Sequence, residues 1–591
     1  MKTVVHVTHE AVQKIGGIGA VLHGLLTSKA YSAGVKRDIL LGPLFSTEGR
    51  AEDRLHGGEV LYSGIDHINK TPYGNDLQRI EHTYGVGIVY GRKTFHDPLT
   101  GVTSNPEVML IDVRHYNPDK MGVFKFILFE DYGIESHAYE HIWDYEQYCR
   151  IAEPGLEAMH AIGACADGAT PIVVSHEYMG MPTALIARSK YPGQFRTIFY
   201  AHEVATMRRI VEHNSGHDTM FYNAMNKAMA EGKYVEDVFG SQKDFYKHPL
   251  VAATKYCDNI FAVGDYTAKE LKFMSKDFDN VHIGLAYNGV PARKLTIKEK
   301  MTSRDRLRKY AENLLGFVPD YVFTHVTRMV PSKGLWRDIR VMAEMEKLMA
   351  AKGETAVLFV LSTEMQARPT HDVLNMEKHY KWPVAHREGW PDLSGGEAHY
   401  YAGVQEWNAR SRNCKVVYIN QFGFDRAKCG NRMPEEMDFL DIRKGSDAEF
   451  GQSIYEPFGI AQVEPISFGG ICVYTELCGC SGFVKKAAGN KPTICAIDVD
   501  YTQLPAKWKD AGWKECLKID GAVREHVEAT VAAQVAKELH KRLPRSKEDF
   551  ETLVTLGGEL GANMSWEVVA RDFVLPGFEY ALKQPAPKKK R

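Results

Sequence analysis

The sequence has few cysteines, almost no net charge and no long hydrophobic run. Ten cysteines among 591 residues, with no start resembling a signal peptide, predict a reduced, cytoplasmic protein. No apolar run approaches the roughly 18 residues of a membrane-spanning helix. A formal net charge of -2 gives little overall attraction to nucleic acid or to an anionic membrane. Neither is therefore an expected partner.

Several common site motifs are also missing. The glycine-rich segment Lys14–Gly19, the glycine loop hereafter, is neither a G-x-G-x-x-G fingerprint nor a P-loop. The sequence shows no repeat of fixed period. Four cysteines cluster without the C-x2–4-C spacing of zinc modules and are predicted to be buried thiols. They are Cys472, Cys478, Cys480 and Cys495.

What the chain does have is a regular alternation of strand and helix patterns. Its length and its apolar content of 44% predict a globular protein with two large α/β domains. Short β-branched runs separated by helical patterns are typical of βαβ units with parallel sheets. The predicted strands are residues 3–7, 171–175, 197–200, 259–263 and 281–286 in one sheet, then 321–326, 356–361, 415–420 and 470–474 in another.

Three further segments stand out between or after these strands. Alternating charges over residues 294–309 predict a solvated helix or a linker. Residues 363–413 are polar and poorly periodic, and we interpret them as an insertion. The basic residues 588–591 are predicted to form a solvated tail.

Polar residues follow the predicted strands of the first half. Ligands of doubly wound sheets bind beyond the carboxyl ends of the strands. His176–Glu177 and His202–Glu203 follow two strands, and Asn288 follows another. A structural role is the alternative for each, because histidines are commonly satisfied within a fold and Asn-Gly is a turn signal.

The glycine loop follows the first predicted strand. It supplies one cation, Lys14, and three glycines before a helix, so backbone amides there can approach a diphosphate. A purely structural strand-to-helix turn is the alternative. The three glycines are Gly16, Gly17 and Gly19.

In the second half, Arg328 and Lys333 follow the strand over residues 321–326. Two fixed cations in one loop indicate an anionic ligand, and they would stabilise the charge that develops on a leaving diphosphate. A surface loop with two solvated charges is the alternative.

Glu456 and Glu464 bracket what reads as the start of a helix, with Pro457 as its first residue. Eight residues of helix rise roughly 12 Å, whereas the two carboxyl groups of a glycosidase lie about 5 to 9.5 Å apart. The pair is therefore expected to grip two ends of a long polar ligand such as a nucleotide sugar. Gly459 between them would let backbone amides approach phosphate oxygens.

These segments together resemble the glycogen and starch synthases, which are retaining GT-B glycosyltransferases. The resemblance spans nearly the whole chain. It is carried by Lys14–Gly17, Phe199–His202, Phe221–Asn223, Tyr287–Gly289, Arg328–Gly334, Glu456–Glu464 and Ser565–Ala570.

The resemblance implies two Rossmann-like domains with parallel sheets facing across a cleft. An N-terminal, acceptor-side domain over residues 1–293 would be completed by a crossing helix in 566–591. Residues 294–565 would form the nucleotide-sugar-binding domain. The implied reaction transfers glucose from UDP-glucose or ADP-glucose to the non-reducing end of an α-1,4-glucan, with retention, no cofactor and no metal. A homo-oligomer is left open.

The resemblance also implies roles for single residues. Arg328 and Lys333 would bind the diphosphate, and Glu456 would act electrostatically near the reaction centre. His202 would lie beside the transferred sugar. The remaining donor contacts would be the glycine loop with Lys14, Asn288 near the sugar, Gly459 near donor oxygens, and Glu464 on the ribose.

Some features depart from the family pattern and keep alternatives open. Ala20 stands where the bacterial and plant enzymes have aspartate. A small sugar or sugar phosphate is the alternative acceptor, and a non-catalytic glucan-binding protein is the alternative class. A metal-dependent GT-A transferase would use a D-x-D string such as Asp498–Asp500, and a phosphorylase would need a cofactor lysine for which no segment is convincing.

Overall fold

The computed structural model describes residues 2–491 and 493–587, so the predicted tail at residues 588–591 lies outside the described residues. The chain divides into two compact units. The first unit contains residues 1–207, 233–289 and 566–591, and the second contains 208–232 and 290–565. Among the described residues, no helix is long and apolar enough to cross a membrane.

The strands are numbered along the chain. They are β1 Lys2–Val7, β2 Val35–Pro43, β3 Glu59–Ser63, β4 Ile68–Asn69, β5 Gly87–Arg92, β6 Phe95–His96, β7 Thr103–Ser104, β8 Glu107–Asp112, β9 Ile172–His176, β10 Arg196–Ala201, β11 Asn259–Ala262, β12 Ile283–Leu285, β13 Tyr321–Val326, β14 Ala356–Leu361, β15 Cys414–Ile419, β16 Ala448–Gly451, β17 Ile471–Thr475 and β18 Ala496–Val499.

The α-helices are numbered in the same way. They are α1 Gly17–Leu26, α2 Lys29–Gly34, α3 Gly74–Tyr84, α4 Pro118–Tyr132, α5 Trp143–Ala161, α6 Glu177–Lys190, α7 Ala205–His213, α8 His217–Ala230, α9 Val235–Phe239, α10 Lys247–Ala252, α11 Asp265–Phe273, α12 Ile297–Leu315, α13 Trp336–Lys352, α14 Thr370–Tyr380, α15 Gly396–Arg410, α16 Arg426–Cys429, α17 Phe439–Gly445, α18 Ile460–Val463, α19 Gly479–Ala488, α20 Trp513–Cys516, α21 Gly521–Arg542, α22 Lys547–Asn563, α23 Trp566–Val569 and α24 Leu575–Leu582.

The main sheet of the first unit has ten strands in the order β12-β11-β10-β9-β1-β2-β8-β5-β3-β4. The five strands predicted for it pair in parallel, as β1 with β9, β9 with β10, β10 with β11 and β11 with β12. The sheet also has an edge that the sequence did not predict, in which β5 runs antiparallel to β8 and to β3. The strand order reverses between β1 and β9, because β1 pairs with β2 on one side and with β9 on the other, which makes a switch point there.

The sheet of the second unit is parallel throughout, in the order β15-β14-β13-β16-β17-β18. This is the doubly wound order 3-2-1-4-5-6 of dinucleotide-binding folds. All six residues of β14 are buried, because helices cover both faces of such a sheet and favour a continuous apolar run. The switch point lies between β13 and β16.

Two segments differ from their sequence-based description. Helix α12 was expected to be solvated, but one of its faces is buried and includes Lys300, whose ammonium donates to the carbonyl of Ser446 at 2.7 Å. The polar segment 363–413 contains helices α14 and α15 and connects β14 to β15.

The second unit also includes residues 208–232, which precede the predicted domain limit. Asp218 in α8 is fully buried and pairs with Arg337 at 2.8 Å, and Arg337 also pairs with Glu528 at 2.9 Å. A buried ion pair of this kind ties α8 to the helices α13 and α21. The domain limits at residues 293/294 and 565/566 stay a prediction.

The chain returns to the first unit at Trp566. A Cβ atom added at Gly24 would lie 2.1 Å from the indole of Trp566, and one at Gly289 would lie 2.6 Å from it. Glu567 accepts hydrogen bonds from the backbone amides of Lys29 and Ala30 at 2.8 and 2.7 Å, at the start of α2. A carboxylate is favoured at a helix N-terminus.

Candidate functional site

Each unit carries a cluster of polar loops at the switch point of its own sheet. In the first unit, the glycine loop follows β1, and His176 and His202 stand at the ends of the neighbouring strands β9 and β10. In the second unit, Arg328 and Lys333 follow β13, and Glu456 follows the adjacent β16. These are the positions at which open α/β sheets bind their ligands.

The glycine loop wraps around one buried carboxylate. Oε2 of Glu10 accepts hydrogen bonds from the amides of Ile15 at 2.9 Å, Gly16 at 2.7 Å and Gly19 at 2.9 Å. A Cβ atom at Gly19 would lie 2.6 Å from the same oxygen, so this position requires glycine. The loop is thus an anion-binding nest whose anion is part of the chain.

This arrangement changes the expected role of the loop. The amides of Gly16 and Gly19 face Glu10 and are not free for a diphosphate. Lys14 is exposed, and its side chain makes no hydrogen bond or ion pair within the described part of the chain. Gly17, the first residue of α1, is exposed and has open space where a Cβ atom would stand.

Glu177 is a strained residue at the same edge of the sheet. It follows β9 with a φ of 64°, a left-handed conformation that is costly for glutamate. Its Oε1 accepts from the amide of Glu203 at 2.7 Å, and its Oε2 is buried without a partner among the described residues. Burial, with repulsion from Glu203, raises the pKa of Glu177 well above its usual value. Such features cluster at functional sites.

His202 lies at the end of β10 beside His176. The Nε2 atom of His202 is 2.8 Å from Nδ1 of His176, and its ring stacks on Tyr200 with a centroid distance of 4.4 Å. Burial, with the charge of His9, lowers the pKa of His202 to about 3. The imidazole is therefore neutral at physiological pH.

Asn288 follows β12 and is buried. Its Oδ1 has no hydrogen-bond partner within the described residues. The next residue, Gly289, is held closely against Trp566. An unpaired buried amide oxygen is costly, so this side chain is suited to a ligand that donates a hydrogen bond.

In the second unit, two of the predicted site residues contact each other directly. The ammonium of Lys333 donates a hydrogen bond to Oε2 of Glu456, and only 10% and 15% of the two side chains are exposed. The carbonyl of Ser332 accepts from the amides of Ile454 at 2.8 Å and Tyr455 at 3.2 Å, which fixes the loop after β13 against the loop after β16. Arg328 is exposed and makes no ion pair in the described chain.

The segment between Glu456 and Glu464 is not the regular helix that the sequence suggested. Helix α18 has only four residues, Ile460–Val463, and a 3₁₀ turn follows over Glu464–Phe468. Gly459 precedes α18 with a φ of 85°, so Pro457 is not a first helical residue, and the rise of roughly 12 Å does not apply. A Cβ atom at Gly459 would lie 2.5 Å from Gln462 Oε1 and 2.9 Å from Cys478 Sγ.

Glu464 is held by an arginine that the sequence did not single out. Arg443 is fully buried and places Nε 3.0 Å from Oε2 of Glu464 and Nη1 3.3 Å from Oε2 of Glu449. Glu449 in turn accepts from the amide of Val326 at 3.0 Å, at the end of β13. The orientation of Glu464 is thus tied to the strand that precedes Arg328.

The remaining predictions concern the four clustered cysteines and the binding of a metal ion. The cysteines Cys472, Cys478, Cys480 and Cys495 are free and buried, as predicted. Within residues 2–491 and 493–587, no group of three or more metal-ligating side chains is arranged to hold a metal ion.

Glu10 and Arg443 were missed from the sequence. Glu10 lies three residues after β1, so it could have been found by inspecting the residues that follow each predicted strand. Arg443 is in α17, which precedes a strand rather than following one, and no local signal marks it.

No family model and no curated protein matches this chain. Solved structures do. The UDP-forming α,α-trehalose-phosphate synthase of Burkholderia xenovorans is 11% identical and covers 99% of each chain with a TM-score of 0.51. The catalytic domain of starch synthase IV from Arabidopsis thaliana, bound to ADP and acarbose, is 15% identical over 99% of this chain and 100% of that chain, with a TM-score of 0.48.

The sucrose-phosphate synthase of Thermosynechococcus elongatus is 12% identical over 96% of each chain, with a TM-score of 0.44. The matched structures are GT-B glycosyltransferases. The likeness to the Burkholderia structure shows a common fold, and the chain has the GT-B fold of two Rossmann-like domains.

Proposed function

We propose that the protein is a retaining glycosyltransferase that transfers glucose from UDP-glucose or ADP-glucose to the non-reducing end of an α-1,4-glucan. The observation that carries this proposal is the pairing of Lys333 with Glu456 at the switch point of the second unit. A cation and a carboxylate follow the two strands between which such sheets bind nucleotides.

The chemistry required of these residues is electrostatic. As the bond to the sugar breaks, negative charge develops on the leaving diphosphate, and Lys333 and Arg328 would stabilise it more than the ground state. The buried setting of Lys333 strengthens this effect, because a charge kept away from water acts more strongly. Glu456 would hold Lys333 in place and contact sugar hydroxyls, with no covalent role.

Two other positions of the second unit would bind the rest of the donor. Gly459 would let backbone approach the phosphate oxygens, and Glu464 would accept hydrogen bonds from the ribose hydroxyls. Arg443 would keep the Glu464 carboxylate oriented, because its own position is fixed by burial.

Residues of the first unit would act on the transferred sugar and the acceptor. His202 and Asn288 offer neutral groups to sugar hydroxyls, and Lys14 offers an exposed cation. The amides of Gly16 and Gly19 would act indirectly, by binding Glu10 and shaping the loop. A cytoplasmic location and a homo-oligomer stay predictions.

A small sugar phosphate is the second candidate acceptor. It is favoured by one observation: the solved structure that matches with a TM-score of 0.51 is a trehalose-phosphate synthase. The donor chemistry would be unchanged, and only the group that accepts glucose would differ.

A matrix of donors and acceptors tests both candidates. The protein is incubated with UDP-glucose, ADP-glucose or GDP-glucose, each with glycogen, glucose 6-phosphate or fructose 6-phosphate, and products are separated by chromatography. Extension of glycogen supports the first candidate, and a phosphorylated disaccharide supports the second. No transfer and no donor hydrolysis with any pair would contradict a glycosyltransferase.

A further inference from the structure

Five side chains of the first unit form one continuous chain of hydrogen bonds. Tyr31 Oη lies 2.9 Å from the carboxylate of Asp38 and 2.9 Å from Nε2 of His6. His6 Nδ1 lies 2.9 Å from Nε2 of His176, and His176 Nδ1 lies 2.8 Å from Nε2 of His202. We call this chain the imidazole relay; its members are Asp38, Tyr31, His6, His176 and His202.

In a relay whose imidazoles each carry one proton, the direction of every hydrogen bond follows from the first member, Asp38. A carboxylate only accepts, so the Tyr31 hydroxyl donates its single proton to Asp38. The Tyr31 oxygen can then only accept, and Nε2 of His6 must carry a proton. The reverse arrangement would place two lone pairs against each other.

The proton positions of the three imidazoles follow in the same way. A neutral imidazole has one N–H and one lone pair. His6 carries its proton on Nε2, so its Nδ1 accepts from Nε2–H of His176. Nδ1 of His176 then accepts from Nε2–H of His202. Burial lowers the pKa of His176 well below its usual value, with the neighbouring histidines as a second cause, so the neutral form of His176 applies.

We propose that Asp38 fixes the tautomer of His202 through the imidazole relay, leaving Nδ1 of His202 as an unprotonated hydrogen-bond acceptor. Within the described residues this nitrogen has no hydrogen-bond partner. The group that it recognises is a donor, such as a hydroxyl of a sugar. A phosphate or carbonyl oxygen would meet a lone pair there and would be rejected.

Asp38 and Tyr31 are positioning residues in this scheme. They lie in β2 and α2, and they influence the tautomer of His202 only through the rings of His6 and His176. The identity of the ligand as a sugar hydroxyl rests on the proposed function. The tautomer itself does not, and it can be measured without substrate.

The test is nitrogen NMR of the full chain labelled with ¹⁵N-histidine, with the His202→Gln variant used to assign the resonances. The wild-type protein is expected to show a pyridine-like Nδ1 and a pyrrole-like Nε2 at His202. In Asp38→Asn, the new amide can donate to Tyr31, so the relay can reverse. His202 Nδ1 is then expected to shift toward the pyrrole-like range.

Two further variants keep the test decisive. Tyr31→Phe removes the hydroxyl that links Asp38 to His6, and it is also expected to shift the His202 resonances. Asp66→Asn is the matched control, because Asp66 has a similar exposed fraction, 15% against 16%, and pairs with Arg54 outside the relay. This control is expected to leave the His202 resonances unchanged.

A wild-type His202 protonated on Nδ1 would overturn the proposal. So would unchanged His202 resonances in both Asp38→Asn and Tyr31→Phe. A shift in either variant supports the relay even if no glycosyl transfer is ever detected. Conversely, transfer activity with no shift would leave the proposed function in place and remove the relay.

Discussion

The ammonium of Lys333 donates a hydrogen bond to the carboxylate of Glu456, across the two loops that follow β13 and β16. The two residues are separated by more than a hundred positions in sequence, and the pairing of the adjacent strands brings them together. Because both side chains are largely buried, neither charge is left to solvent. The pair is the core of the candidate donor site.

Replacing Lys333 with alanine is expected to lower kcat by about 100- to 1,000-fold, the usual effect of removing one group that stabilises transition-state charge. The measurement is initial-rate kinetics with the active donor found in the donor and acceptor matrix. Lys347→Ala is the control, since Lys347 is an exposed lysine of the same unit paired with Glu344. Equal turnover of Lys333→Ala and Lys347→Ala would contradict the assignment.

Gly459→Ala is expected to weaken donor binding and to destabilise the loop by about 1 to 3 kcal/mol, because the residue has a positive φ and its new Cβ would collide with Gln462 and Cys478. Donor KM and urea denaturation measure the two effects. Gly489→Ala separates strain from collision, because Gly489 has a φ of 58° but open space around it. A KM as low as that of wild type in Gly459→Ala would argue against a donor contact.

Glu10→Ala is expected to lower the free energy of unfolding by about 2 to 3 kcal/mol, because the buried amide of Gly19 would lose its acceptor. Urea denaturation followed by circular dichroism measures this change. The control is Glu52→Ala, which removes a largely exposed carboxylate of the same unit. If both variants unfold at the same urea concentration, Glu10 does not hold the glycine loop.

Lys300 gives the protein a pH-dependent stability. Burial, opposed in part by Asp447, lowers its pKa to about 8 in the folded chain, against a usual value of 10.5. Between these values the unfolded chain holds a proton that the folded chain has released, so stability rises with pH. Below pH 8 the Lys300 side chain is charged in both the folded and the unfolded chain, and above pH 10.5 it is neutral in both.

The comparison with Lys300→Met isolates this contribution. From pH 8 to pH 10.5, the wild type is expected to gain up to about 3 kcal/mol relative to the variant. Urea denaturation of both proteins across the window measures the difference. A difference independent of pH would mean that Lys300 keeps its usual pKa.

Much of the fold could be predicted because buried parallel strands leave a strong local signal. The runs at β13 and β14 match the predicted residues 321–326 and 356–361. The antiparallel edge of the first sheet could not be predicted in the same way. Strand β3 begins with glutamate, and β5 contains two glycines and ends with arginine, which weakens the local strand signal of both.

The position of a candidate site residue could be predicted where it follows a strand, but not where it depends on tertiary contacts. Arg328 and Lys333 follow β13 as the sequence indicates, and their roles stay a prediction. The extent of the helix near Glu456 was missed, because Gly459 takes a left-handed conformation that delays the start of the helix and that no sequence pattern marks. Arg443 gave no signal, because its partners Glu449 and Glu464 are reached through the fold.

The placement of Trp566 has a consequence for how the protein is made. The slot between Gly24 and Gly289 is filled by an indole that emerges from the ribosome only after the second unit has been synthesised. The first unit therefore cannot fill this slot until the chain has been made as far as residue 566. Its packing is completed only after the second unit has been synthesised.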